Sequence, residues 1–148
     1  MMDEIVTIYT DGACSGNPGV GGWGAILTYG KVSKEISGGE KITTNNRMEL
    51  RAVIEALKSL KRKCKINIYT DSMYVKNGIT DWISSWKQNG WKNSKKQAIS
   101  NQELWQELDL LTEKHSIEWF WVKGHNNNEL NERVDKLARS EITKIKNG

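Results

Sequence analysis

The order of apolar patterns along the chain predicts an α/β domain built on a mixed sheet. Three strand-like segments come first, as an antiparallel meander would. Helix and strand patterns then alternate, as helical crossovers between strands require. A short internal echo supports the reading. Ile8-Tyr9-Thr10-Asp11-Gly12 and Ile68-Tyr69-Thr70-Asp71-Ser72 each place an aspartate where an apolar strand pattern stops.

Taken in order, Ile5-Val6-Thr7-Ile8-Tyr9-Thr10 is rich in β-branched residues and meets a turn signal at Asp11-Gly12, so it predicts a buried strand. Gly16-Asn17-Pro18-Gly19 and Gly21-Gly22 read as loop punctuation. Trp23 to Tyr29 and Val32 to Ile36 then form a hairpin pattern around Gly30-Lys31. Thr43-Thr44-Asn45-Asn46 supplies helix-capping residues, and Leu50, Val53, Ile54, Leu57 and Leu60 follow at helical spacing. Ile66 to Thr70 returns to strand character. From Met73 to about Asn101 the pattern is of helical fragments broken by Gly78 and Gly90. Leu104, Leu108 and Leu111 predict another helix, and Ile117 to Val122 a strand that ends in Lys123-Gly124-His125. An asparagine-rich loop leads to a last helix carrying Leu130, Val134, Leu137, Ala138 and Ile142, and the polar tail 144–148 is expected to be disordered and flexible.

The 148 residues, 37% hydrophobic and 27% charged, suit one soluble globular domain spanning 1–148. No apolar run approaches the roughly 20 residues that cross a bilayer, and the acidic start Met1-Met2-Asp3-Glu4 is unlike a signal peptide. A cytoplasmic protein is therefore expected, with no membrane partner. No apolar stripe is left over for an interface, so a monomer is expected. Cys14 and Cys64 are too few for a disulfide scaffold or a cysteine zinc site.

The acids carry the chemistry. If the two echoed strands are neighbours, Asp11 and Asp71 meet outside their carboxyl ends, where sheets with helical crossovers gather functional groups. Their repulsion is tolerable with a cation between them. Glu49 lies in the first turn of the first long helix, roughly 75° from the centre of its apolar stripe at about 100° per residue. Asp135 flanks the apolar face of the last helix in a similar way. Four such carboxylates have the character of a hard-cation site, and Mg²⁺ prefers oxygen ligands. Two ions about 4 Å apart would activate a water and stabilise a leaving oxygen in phosphodiester hydrolysis. Singly, each acid reads better as a turn, helix-start or solvated residue, and only the four together bring the two readings level. His125, on the loop ahead of Asp135, is either a proton relay or an exposed loop histidine.

A second constellation runs from Asp81 to Lys96. Trp82, Trp86 and Trp91 are interleaved with Lys87, Lys92, Lys95 and Lys96. Lysines neutralise phosphates and aromatic rings pack on sugars or bases. The bland reading anchors the tryptophans in the core and leaves the lysines as better indicators. The net charge of +4 is too mild to decide, but four lysines against Asp81 make this segment locally basic.

Five segments now share a resemblance: Asp11-Gly12-Ala13-Cys14-Ser15-Gly16-Asn17-Pro18-Gly19, Thr44-Asn45-Asn46-Arg47-Met48-Glu49-Leu50, Thr70-Asp71-Ser72, Trp121-Val122-Lys123-Gly124-His125 and Asn131-Glu132-Arg133-Val134-Asp135. In order and spacing they resemble bacterial type 1 ribonuclease H, which cuts the RNA strand of RNA–DNA hybrids. The resemblance implies the ribonuclease H-like fold, a five-stranded mixed sheet flanked by helices. It implies that Asp11, Glu49, Asp71 and Asp135 bind two Mg²⁺ ions with substrate, Mn²⁺ being able to substitute, and that His125 assists turnover. It makes about 80–99 a basic protrusion that grips the hybrid. Cys14, Asn17, Asn45 and Asn46 match minor-groove contacts, which suits reading of the 2′-hydroxyl, and Thr44 and Asn101 match positions that hold a DNA-strand phosphate. Three departures stand out: Met73 replaces a common glutamine, Ile42 an often basic residue, and three asparagines follow His125. Two competing readings are a non-cleaving hybrid-binding module, which would dispense with the acids, and a DNA-cutting nuclease of the same fold.

Overall fold

The computed structural model describes residues 5–93, 95–122 and 129–148. Five strands, β1 (Ile5–Gly16), β2 (Gly19–Tyr29), β3 (Val32–Thr43), β4 (Lys65–Thr70) and β5 (Ser116–Trp121), form one sheet in the order β3-β2-β1-β4-β5. The meander β1–β2–β3 is antiparallel, and β4 is parallel to both β1 and β5. The helices are α1 (Asn45–Lys58), α2 (Met73–Asn77), α3 (Ile83–Gln88), α4 (Gln102–Glu113) and α5 (Glu129–Asn147). This is the mixed, helix-flanked sheet that the sequence predicts.

Alternation along the strands divides the core in two. Val6, Ile8, Ala25, Leu27, Ile66 and Ile68 point to one face and pack with α1 and α4, through Leu50, Val53, Ile54, Leu57, Leu104, Trp105 and Leu108. Tyr9 and Ile26 point to the other face and meet Val134 of α5, flanked by Leu130 and Leu137. Each aliphatic side chain removed from water contributes roughly 1.5–3 kcal/mol, so the larger α1/α4 face dominates cohesion.

Several local expectations change. β1 does not turn at Asp11-Gly12. It stays paired with β2 as far as Gly16↔Gly19, leaving Asn17-Pro18 as the turn. Gly21 and Gly22 lie inside β2 instead of a loop. A Cβ at Gly22 would stand 2.1 Å from the Ala138 carbonyl oxygen, so glycine there lets α5 seat directly on the sheet. Gly78 does not break the helical region either. It opens a π-helical turn, Gly78–Trp82, between α2 and α3, where a Cβ would lie 1.9 Å from the Trp105 ring. The tail expected to be disordered continues α5 to Asn147. Ile145 extends the apolar stripe and packs near Gly39 of β3, and Lys146 bonds to Ser15. No helix among the described residues is long and apolar enough to cross a membrane.

Candidate active site

The last register pair between the parallel strands β1 and β4 is Tyr9↔Tyr69. Asp11, still within β1, and Asp71, one residue past the end of β4, stand two residues beyond that pair, at the carboxyl end of the parallel pairing. Below them Tyr9, Tyr69 and Phe120 stack across three strands, with ring centroids 4.6 and 4.8 Å apart. That ladder ties the two aspartates to one spacing.

Glu49 arrives from α1. Thr44 caps that helix, its hydroxyl accepting from the Arg47 N–H at 3.2 Å. The helix then lies on β1 at Gly12, where a Cβ would fall 2.5 Å from the Glu49 nitrogen. The sequence pattern puts Glu49 in the first turn of the helix, at the border of its apolar face. It is instead in the second turn and only 6% exposed, because glycine removes the wall that would hold the helix off the strand. Carboxylate oxygens of Asp11, Glu49 and Asp71 all lie within 4.8 Å of one another.

The electrostatics of this cluster are unfavourable as it stands. Burial, then repulsion from Asp71 and Asp135, pushes Asp11 up from 3.8 to about 7, against a side-chain hydrogen bond with Glu49 and one from the Gly12 N–H at 2.9 Å. Burial, then Asp11 and Asp71, also raises Glu49 well above the carboxylate range. Its Oε1 is buried with no hydrogen-bond partner, a state that costs about 1–3 kcal/mol or more when the group is charged. A divalent cation among these oxygens would relieve the repulsion and engage the orphaned atom. Hard oxygen donors and no sulfur or imidazole in the trio suit Mg²⁺ or Mn²⁺ in kind. The residues fit the group.

Asp135, the fourth predicted acid, sits on α5 outside that trio. It is close enough to raise Asp11 and is paired with Arg139. His125 lies outside the described residues.

Several of the predicted substrate contacts are fastened to the start of α1 and to one another. The Asn45 N–H donates to Asn17 Oδ1 at 3.2 Å, so the β1–β2 turn is fastened to the start of α1. Asn46 is exposed beside them. The Cys14 sulfur lies 3.4 Å from the Thr43 carbonyl oxygen, and burial raises its thiol. Asn101 adopts a left-handed conformation ahead of α4. Its Oδ1 accepts from Arg47 at 3.0 Å, and its Nδ2 donates to the Tyr74 hydroxyl at 2.9 Å. Thr44 and Asn101 are thus linked through Arg47.

The basic segment is tied to the rest of the protein in two ways. Trp82, Trp86 and Trp91 pack against the core in a chain of ring contacts that reaches Trp105 and Tyr74, as the bland reading has it. Lys87, expected to face phosphate, bonds to Asp109 at 3.2 Å and Glu113 at 3.3 Å, and those bonds raise its pKa. Lys92, Lys95 and Lys96 are exposed and, among the described residues, in no ion pair.

With this geometry in place, the family comparison is decisive: the ribonuclease H model matches residues 3–143. The chain belongs to the ribonuclease H family. A ribonuclease H of Francisella philomiragia subsp. philomiragia is 61% identical over 140 residues, covering 95% of this chain and 92% of the relative. The crystal structure of LC9-RNase H1, a type 1 RNase H with the type 2 active-site motif, matches with a TM-score of 0.87 at 35% identity. That match covers 97% of this chain and 74% of the other. LC11-RNase H1, solved in complex with RNA/DNA hybrid, shares the fold at 22% identity and a TM-score of 0.69, over 95% and 98% of the two chains.

In this ribonuclease H, Arg47 and Arg139 join the site although the sequence patterns do not single them out. Arg139 was legible, since it stands four residues after Asp135 on a helical pattern, where opposite charges meet. Arg47 offers no local signal, because its partners Asn101 and Glu103 lie far along the chain, at the start of α4.

Proposed function

We propose that this ribonuclease H is a metal-dependent endoribonuclease that hydrolyses the RNA strand of RNA–DNA hybrids, leaving 5′-phosphate and 3′-hydroxyl ends. The observation that carries the reading is the convergence of Asp11, Glu49 and Asp71 within 4.8 Å on a frame of two parallel strands and a buried helix. Asp11, Glu49 and Asp71 would hold Mg²⁺, with Asp135 completing the set. Bound as two ions with substrate present, the metal supplies an activated water and charge neutralisation at the leaving oxygen, and Mn²⁺ can substitute.

The chain's own residues divide the remaining work. Asp11 and Asp71 fix the spacing of the oxygen ligands, because their strands are locked together by hydrogen bonds and the aromatic ladder. Glu49 contributes an oxygen with no protein partner. Cys14, Asn17, Asn45 and Asn46 are short side chains around the β1–β2 turn and the start of α1. They suit reading of 2′-hydroxyls without reading sequence. Thr44 and Asn101 position a DNA-strand phosphate, with Arg47 between them. Lys92, Lys95 and Lys96 attract backbone phosphates, while Trp82, Trp86 and Trp91 hold their segment in place. His125 assists proton transfer or product release. Residues 1–148 act as one domain, as a cytoplasmic monomer.

A labelled hybrid tests this, incubated with Mg²⁺, with EDTA, and beside matched all-RNA and all-DNA duplexes. Metal-dependent cutting of the hybrid's RNA strand alone is expected. Binding without cutting, even with Mn²⁺ at high enzyme, would make the chain a binding module. Comparable cutting of the DNA duplex would make it a different nuclease.

A further inference from the structure

Helix α5 is set rigidly on the sheet. Val134 and Ala138 are buried, and the helix backbone lies against Gly22 and Gly24 of β2. Asp135 and Arg139 therefore stand one turn apart on its flank, with the acid on the N-terminal side, the favourable orientation for an i, i+4 pair. They are ion-paired, with the Asp135 side chain 16% exposed and Arg139 70% exposed. Both line an open cleft of about 550 Å³ with Glu132 and Lys136. Asp135 reaches the acid cluster electrostatically, since it raises Asp11, yet its oxygens stay outside the trio that meets within 4.8 Å.

We propose that Arg139 is a built-in counter-cation for Asp135 that competes with a divalent ion for that carboxylate. The inference rests on Asp135 being the fourth metal ligand. A guanidinium and a divalent cation sharing one carboxylate repel each other, so each weakens the binding of the other, and by the same factor. With no ion bound, Arg139 offsets part of the Asp135 charge that adds to the repulsion on Asp11. With ions bound, it limits occupancy on the Asp135 side. Arg139 is thus a positioning residue that sets the metal concentration at which the four-acid site fills.

Calorimetric titration of Mn²⁺ into the metal-free protein tests this without relying on turnover. Arg139→Gln should tighten the weakest measurable Mn²⁺ site by about two- to five-fold, the scale of losing one exposed ion pair. Arg139→Lys should restore most of the wild-type value. Lys136→Gln removes an equal charge from the same cleft and should change little. The Arg139→Gln effect should vanish in an Asp135→Asn background. An equal effect from Lys136→Gln, or an Arg139→Gln effect that persists in that background, would overturn the proposal in favour of diffuse charge. No effect of Arg139→Gln, with Asp135→Asn still weakening Mn²⁺, would overturn the proposal alone. If Asp135→Asn leaves Mn²⁺ binding intact, the ligand assignment fails and the proposal with it.

Discussion

The acid cluster and the basic segment both stand out in the sequence by their charge, and the fold treats them in opposite ways. At the cluster, rigid elements force Asp11, Glu49 and Asp71 together and leave them unreconciled: two are buried, their pKa values are raised, and one oxygen has no partner. In the basic segment most of the conspicuous groups are satisfied within the protein. Three tryptophans pack inward and Lys87 is held by two acids of α4. Unsatisfied charge on a stiff frame marks a site awaiting a ligand. Charge satisfied by its own fold marks architecture.

The largest expected effect breaks the cluster. Asp11→Asn should reduce hybrid cleavage by about 10³-fold or more, the scale of removing a group that acts in the transition state. Hybrid binding, measured by a shift assay in Ca²⁺, should change little. Loss of binding with loss of cleavage would mean that Asp11 holds the fold or the substrate instead of the metal.

The same substitution should stabilise the metal-free protein. The folded-state pKa of Asp11 lies near 7, above its unfolded value of 3.8. Its contribution to stability is therefore fully present below about pH 4 and is lost as pH rises towards 7. Asn carries no such penalty. In EDTA, Asp11→Asn should raise stability over wild type by up to about 4 kcal/mol at pH 8 and by about 1–2 kcal/mol at pH 5. A gap that is constant with pH would contradict the assigned repulsion.

Gly78→Ala probes the other region. The added methyl meets the Trp105 ring, so about 1–3 kcal/mol of stability should be lost in urea unfolding. Smaller still are the lysines. Replacing Lys92, Lys95 and Lys96 with alanine should weaken hybrid binding and flatten its salt slope by about 3. Lys87→Ala alone should barely alter the slope, and an equal effect per lysine would erase the distinction between paired and unpaired cations.

What is legible in the sequence is local. The echo ending in Asp11 and Asp71 marks two strand ends, and Thr44 marks the start of α1, because strand composition and capping act over a few residues. What is not legible comes from distant partners. Glu49 reads as a border residue since nothing near it says that Gly12 has made room. Gly78 and Gly22 read as breakers, yet each is a place where Trp105 or α5 comes too close for a Cβ. The pairing of Lys87 is hidden in the sequence because Asp109 and Glu113 lie on a helix more than twenty residues on. Ile145 carries the stripe of α5 into a stretch whose polarity suggests a loose tail.

The three converged carboxylates exist to hold a cation for RNA cleavage, and Glu49 offers the sharpest check. Single-turnover cleavage of a labelled hybrid by Glu49→Gln, with Mg²⁺ saturating the wild type, is the measurement. The expected result is a folded protein that binds hybrid and leaves its RNA strand intact. Cleavage at a rate close to wild type would contradict it, because a buried amide cannot replace the charged oxygen that the cluster contributes.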